Sequence, residues 1–166
     1  DVWLNGKKIG GTDYGYLGFE SDISEIIKYD ADNVVAVRSA TDGNSRWYTG
    51  GGLFRDVHLV VKDTISIARH GIFITTPNIS DKNAAVSVQV EVAGVKFKQY
   101  QLEIIAKIFS PEGKLVGETK TLAPQKYYLN SVEVPLPKLN VANPQLWSCE
   151  TPKLYSAEVT LILNGK

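Results

Sequence analysis

The sequence predicts an all-β chain, with a β-sandwich from residue 64 onward. Three observations carry that prediction. Apolar and polar residues alternate at period two through the middle and end of the chain. Turn-forming dipeptides separate the alternating runs. No stretch carries the sustained 3.6-residue period of an amphipathic helix.

The front of the chain opens with "VWLNGKKIG" (2–10), a hairpin whose Asn5-Gly6 pair suits the positive φ angles of a tight turn. "FESDISEIIKY" (19–29) predicts one short helical turn, with Ser24 as its N-cap and Ile23, Ile26 and Ile27 as its apolar side. "NVVAVRSA" (33–40) and "RDVHLVV" (55–61) read as two further strands. A sheet of so few strands is marginal in water, so this third of the chain is expected to be the end of a domain begun earlier. A boundary near Lys62–Thr64 fits the fresh start at "ISIARHGIFITT".

Beyond that boundary the alternation is cleaner. In "AVSVQVEV" (85–92), Val86, Val88, Val90 and Val92 share one face. "QLEIIAKI" (101–108) places Leu102, Ile104, Ala106 and Ile108 inward, and "SVEVPL" (131–136) and "YSAEVTLIL" (155–163) follow the same rule. "SPEGK" (110–114), "NP" (143–144) and "TP" (151–152) mark the turns. The final "LILNGK" stops at a second Asn-Gly hairpin signal. With Asp1 at the start and no methionine, the expectation is an excised piece of something larger.

Composition narrows the function classes. The chain has 166 residues, 43% hydrophobic and 22% charged, which is ordinary for a globular protein. Lys+Arg and Asp+Glu both number 18, so no net field favours nucleic acid or an anionic membrane surface. The first 63 residues hold 7 basic and 10 acidic side chains, leaving 11 and 8 for the rest, a mild asymmetry between two unlike halves. Cys149 stands alone, which excludes an internal disulfide and a cysteine-based metal site. No apolar run approaches the roughly 18 residues of a spanning helix.

The stretch "RWYTGGGLFRDV" (46–57) needs a separate reading. Arg46 offers a planar fork of donors to sugar hydroxyls, and Trp47 or Tyr48 can stack on the apolar face of a pyranose. The alternative is that the two aromatics pack between domains while the glycines permit unusual backbone angles. A phosphate cradle is excluded, because the glycines lead into a strand rather than a helix N-terminus. Arg55 shares a face with Val57, Leu59 and Val61, which predicts a partly buried structural arginine. His58 alternates outward, and with His70 the only other histidine neither a zinc site nor a Ser-His-Asp arrangement is supported. "DADN" (30–33) lacks the glycine and distal glutamate of a calcium loop and reads as a turn. Asn78-Ile79-Ser80 fits a glycosylation sequon, one match of a kind expected by chance. "KFKQY" (96–100) reads as a solvated basic and aromatic edge.

"VWLNGKKIG", "GYLGFESDIS" and "NVVAVRSATDGNSRWYTGGGLFRDVHL", taken in order, resemble family 2 of the glycoside hydrolases, the β-galactosidase and β-glucuronidase group. The family segment W-Y-x-G-x-G-[IL]-[FY]-R-x-V falls here on Trp47, Tyr48, Gly50, Gly52, Leu53, Phe54, Arg55 and Val57. "NPQLWSCETPKLY" (143–155) resembles a second family segment, on Asn143, Pro144, Leu146, Trp147, Pro152, Leu154 and Tyr155. The resemblance spans the whole chain. It implies the C-terminal part of a jelly-roll, sugar-binding-type domain over 1–63, then an immunoglobulin-like β-sandwich over 64–166.

It also implies that the chemistry lies elsewhere. In this family two glutamates on a (β/α)₈ barrel act as acid/base and nucleophile, about 5–5.5 Å apart for retaining hydrolysis. The acid/base glutamate follows an asparagine, and no Asn-Glu pair occurs in this sequence. The implied partners are that barrel, in the same parent chain, and through the parent a carbohydrate, with no nucleic acid and no membrane. No catalytic residue, metal ligand or cofactor is expected in the chain itself, while the parent is expected to take a monovalent or divalent cation. Some β-galactosidases place a cation- and substrate-contacting aspartate in the loop before the W-Y segment. The matching position here is Arg46, with Asp42 offset by four residues, so that role is not carried over. The resemblance leaves Arg46, Trp47 and Tyr48 as substrate-side candidates at the barrel rim, and Gly50, Gly52, Arg55 and Trp147 as structural motif residues. Two other readings stay open: an autonomous carbohydrate-binding module, and an adhesive immunoglobulin-like domain of a surface protein.

Overall fold

The structure, a computed structural model, describes residues 1–40, 51–95, 101–123 and 130–165. Its regular elements among these residues are all β-strands, and the chain divides into two compact units, Asp1–Leu59 and Val60–Lys166.

In the first unit, β1 (Val2–Leu4) forms a hairpin with β2 (Lys7–Gly10) and pairs on its other side with β3 (Val35–Val37), giving the order β2-β1-β3. The hairpin turn follows from Asn5 at φ 52° and Gly6 at φ 83°, the backbone that matches the right-handed twist of the flanking strands. Asn5 extends the pairing past β1: its backbone N–H donates to the Val34 carbonyl at 2.9 Å, and its Oδ1 accepts from the Val34 N–H at 3.0 Å. Leu4 is buried beneath.

The helical turn is present as a single turn, with the N–H groups of Ile26 and Ile27 both donating to the Ile23 carbonyl at 2.9 Å. Its cap is Asp22 rather than Ser24. The Asp22 carboxylate accepts from the Ser24 N–H at 2.9 Å and the Ser24 hydroxyl at 2.6 Å, so the acid stands one residue outside the turn and the serine inside it. "DADN" is a turn, with Asp30 at φ 57° and Asn33 bridging back to Lys28 through both its amide oxygen and its amide nitrogen. The strand expected over 55–61 does not form: these residues have no ladder partner among those described. Alternation specifies which way side chains face, whereas a strand also needs a neighbour for its backbone groups.

The second unit is a sandwich of two antiparallel sheets. One has the order β4-β5-β8, from β4 (Ser66–Ile79), β5 (Asn83–Ala93) and β8 (Ser131–Pro135), with β9 (Leu139–Ala142) pairing the far half of β5. The other is β10-β6-β7, from β6 (Leu102–Phe109), β7 (Leu115–Leu122) and β10 (Ser156–Leu163). The first and second strands lie in one sheet and the third, fourth and last in the other, the strand exchange of an immunoglobulin-like domain. Val86, Val88, Val90 and Val92 face Leu102, Ile104, Ala106 and Ile108 across a single core that Val134, Leu139 and Val141 complete. Each fully buried valine or isoleucine contributes about 1.5–3 kcal/mol of transfer free energy.

β4 departs from simple alternation. Ile67 pairs with Val92 but Ile72 pairs with Val90, so β4 carries three extra residues in a bulge that contains His70 at φ 53°. Pro77 sits at a second irregularity, between Thr75 and Asn78, on a strand that pairs only with β5 among the described residues, the edge or bulge setting in which a strand tolerates proline.

Candidate functional site

Arg46, Trp47, Tyr48 and Gly50 lie outside the described residues, as does "KFKQY". Of the same motif, Gly52 adopts φ 117°, a conformation that L side chains rarely adopt, and its N–H donates to the Ser39 hydroxyl at 3.4 Å. Arg55 is exposed rather than partly buried. Its guanidinium lies 5.2 Å from the centroid of the Phe54 ring, and Val57, Leu59 and Val61, expected to share its face, are exposed as well. His58 is exposed, and His70 accepts from Arg69 Nε at 3.1 Å on the β4 bulge. Cys149 is an exposed free thiol.

The second family segment is fully described. It leaves β9 at Asn143, which takes φ 46° and donates its N–H to the Lys82 carbonyl at 2.9 Å. From there polar side chains brace it at three points. The Gln145 N–H donates to the Tyr155 hydroxyl at 2.8 Å, tying the two ends of the segment together. The Gln145 amide donates to both oxygens of Glu112, at 2.9 and 3.0 Å, which ties it to the β6–β7 hairpin of the other sheet. The Ser148 N–H donates to the Thr151 carbonyl at 3.1 Å, and their hydroxyls meet at 3.0 Å, closing a tight turn.

Glu112 is itself held by the Ser110 hydroxyl at 2.8 Å. With Gln145 as the larger cause and Ser110 as the second, its carboxyl is held below its ordinary range. Glu150 is lowered by its own backbone N–H and then by Ser148, and Asp22 by the side chain and then the backbone of Ser24. All three shifts favour the anion. A carboxyl that must deliver a proton near neutral pH is shifted the other way, so these three serve as hydrogen-bond acceptors at turns. Sequence reading did not find Glu112 or Gln145. They are 33 positions apart, and only the register that stacks one sheet on the other brings them together.

The sheet order and core define the second unit as an immunoglobulin-like β-module. The model for "Glycosyl hydrolases family 2" matches residues 66–166, and the chain belongs to that family. A β-galactosidase from Bacteroides ovatus is 30% identical over 166 residues, which are 99% of this chain and 19% of that protein. A putative β-glucuronidase from Formosa agariphila is 35% identical over 169 residues, covering 100% of this chain and 15% of that protein. Among solved structures, a family 2 glycosyl hydrolase from Bacteroides cellulosilyticus superposes with a TM-score of 0.93 at 31% identity, over 100% of this chain and 23% of that one. The chain thus spans 15–23% of the length of these three proteins.

Proposed function

We propose that this chain is the non-catalytic β part of a retaining glycoside hydrolase that acts on β-galactosides or β-glucuronides. On this reading the catalytic (β/α)₈ barrel occupies other residues of the same protein. The observation that supports it is the end-to-end likeness to a β-galactosidase and a putative β-glucuronidase, each several times longer than this chain. The sandwich acts as a stiff spacer, and the 42–49 loop reaches the barrel rim, where Arg46 binds sugar hydroxyls and Trp47 or Tyr48 stacks on the ring. A loop carried on a rigid sheet places polar groups where the barrel's own loops do not reach. An autonomous sugar-binding module would instead need a flat aromatic platform. Tyr14 and Tyr16 are exposed neighbours with centroids 5.6 Å apart, but their planes differ by 58°, so at most one lies flat on a pyranose.

The test is made in the full-length protein on aryl β-galactosides and β-glucuronides. Arg46→Ala is expected to lower kcat/KM by about a hundredfold, near 2.7 kcal/mol of transition-state stabilisation, with Tm unchanged. A change below about twofold would reduce the loop to interdomain packing. Absence of glycosidase activity in the wild-type protein would remove the whole reading.

A further inference from the structure

The tetrapeptide Leu-Asn-Gly-Lys occurs twice, at 4–7 and again at 163–166. An Asn-Gly pair exposes the asparagine side chain to attack by its own backbone. Glycine has no Cβ to screen its nitrogen, and that nitrogen can close a five-membered ring on the asparagine Cγ. The flanking residues are the same at both places, so local sequence gives the two asparagines the same intrinsic reactivity. Any difference between them comes from structure.

The backbones are matched as well. Asn5 and Asn164 adopt φ 52° and 50°, and Gly6 and Gly165 adopt φ 83° and 80°, the backbone of a tight turn. Each asparagine grips one further residue in the same reciprocal way. The Asn5 N–H donates to the Val34 carbonyl at 2.9 Å and its Oδ1 accepts from the Val34 N–H at 3.0 Å. The Asn164 N–H donates to the Gln101 carbonyl at 2.8 Å and its Oδ1 accepts from the Gln101 N–H at 3.1 Å. The two sites differ at the amide nitrogen. Asn5 Nδ2 donates to Asn33 Oδ1 at 2.8 Å and to the Ile26 carbonyl at 3.4 Å. Asn33 is fixed in turn, accepting from the Lys28 N–H at 2.9 Å and donating to the Lys28 carbonyl at 2.8 Å. Asn164 Nδ2 has no partner among the described residues. Asn164 instead lines an open cavity of about 120 Å³ with Gln101, Glu103, Leu122, Ile162 and Gly165.

We propose that Asn164 is a site of spontaneous deamidation and that the Asn33 anchor exempts Asn5. The Gly165 nitrogen gives its proton to water or hydroxide and bonds to Asn164 Cγ. The Cγ–Nδ2 bond breaks, and Nδ2 takes up a proton and leaves as ammonia. Water from solvent then opens the succinimide. Opening at Cγ gives aspartate; opening at the backbone carbonyl gives isoaspartate, whose main chain runs through Cβ and Cγ. The sum is asparagine plus water to acid plus ammonia, with no oxidant or reductant. To turn onto the glycine nitrogen, the Asn164 side chain releases one hydrogen bond, whereas that of Asn5 releases three. A site that reacts only from an opened state is slowed by the rarity of that state. The aspartate product keeps the oxygen that Gln101 uses but adds a carboxylate to the cavity that Glu103 lines. The isoaspartate product lengthens the turn and breaks the reciprocal bonds to Gln101, at the end of the sheet where Leu163 pairs with Leu102.

The test incubates the full-length protein at mildly alkaline pH and maps its peptides by mass, with isoaspartate read by enzymatic methylation. Asn164 is expected to convert at least about tenfold faster than Asn5 in the folded protein, and the two at equal rates in urea. Asn33→Ala is expected to raise the Asn5 rate about tenfold with the Asn164 rate unchanged, while Asn33→Asp, which keeps the accepting oxygen, leaves Asn5 slow. Asn5 converting as fast as Asn164 in the folded protein, or no conversion of Asn164, would overturn the proposal. Unequal rates in urea would overturn it too, because the contrast would then lie in sequence. An Asn5 rate indifferent to Asn33→Ala would overturn the role of the anchor.

Discussion

Glu112 takes the Gln145 amide on both oxygens and the Ser110 hydroxyl on one, so a single solvent-facing carboxylate joins a hairpin to the loop that carries Trp147. Those donors favour the anion, and the folded-state pKa lies below the unfolded one. The sign of the linkage follows. The contribution of Glu112 to stability is complete above its unfolded pKa and is lost as pH falls through its folded pKa. We expect the urea midpoint of the wild-type chain to fall from about pH 5 to about pH 3, and Glu112→Gln to fall less over the same interval. The group is open to solvent, so the difference is small, and it is read from paired melts rather than from either alone. Equal slopes for the two proteins would mean that the three hydrogen bonds do not persist in solution.

At the scale of the element, two glycines at positive φ make a matched pair. Gly113 (φ 78°) turns the β6–β7 hairpin with open space around it, so an added methyl meets nothing and Gly113→Ala costs about 1–2 kcal/mol from backbone conformation alone. Gly94 (φ 82°) lies where β5 ends, and a Cβ built there stands 1.7 Å from the Thr64 carbonyl oxygen. Gly94→Ala must displace backbone, and a loss above about 3 kcal/mol is expected, with Tm well below that of the Gly113 variant. Similar losses for both would show that Thr64 does not hold its place against β5. The same elements show what could be read in the sequence. β5 and β6 were legible because they are central to their sheets and every second side chain enters the core. β7 was not. Its inward positions, opposite Ile108, Ala106 and Ile104, are Gly117, Thr119 and Thr121, so no apolar alternation exists to find. The core tolerates them because Leu139 fills the space over Gly117 and Thr119 donates to the Pro137 carbonyl at 2.8 Å. The bulge in β4 shifts the phase of its pattern midway, and β9 is four residues long. Conversely, 55–61 alternates well and still has no ladder partner among the described residues, because period two encodes a face and not a pairing.

For the whole molecule, the family segments were legible as motifs, but the Glu112–Gln145 brace was not, since its partners meet only through the stacking of two sheets. Nor did the sequence reveal that the tryptophan of the second segment points to solvent. The division of burial was partly readable from the denser alternation beyond residue 64, and the structure gives it a sharper form. Of the sixteen buried hydrophobic residues among those described, only Leu4 belongs to the first unit. The first unit instead exposes Tyr29, Leu53, Phe54 and Val57. Local opening free energy tracks buried apolar surface, so the two units should not share one stability. In hydrogen exchange on residues 1–166, the amides of β5 and β6 are expected to exchange at least about a thousandfold more slowly than those of β1 and β3 after correction for intrinsic rates, a gap of about 4 kcal/mol. If the catalytic domain proposed above covers the apolar surface of the first unit, the gap narrows in the full-length protein. Equal protection of both units in the 166-residue chain would mean that the first unit draws stability from something other than its own core.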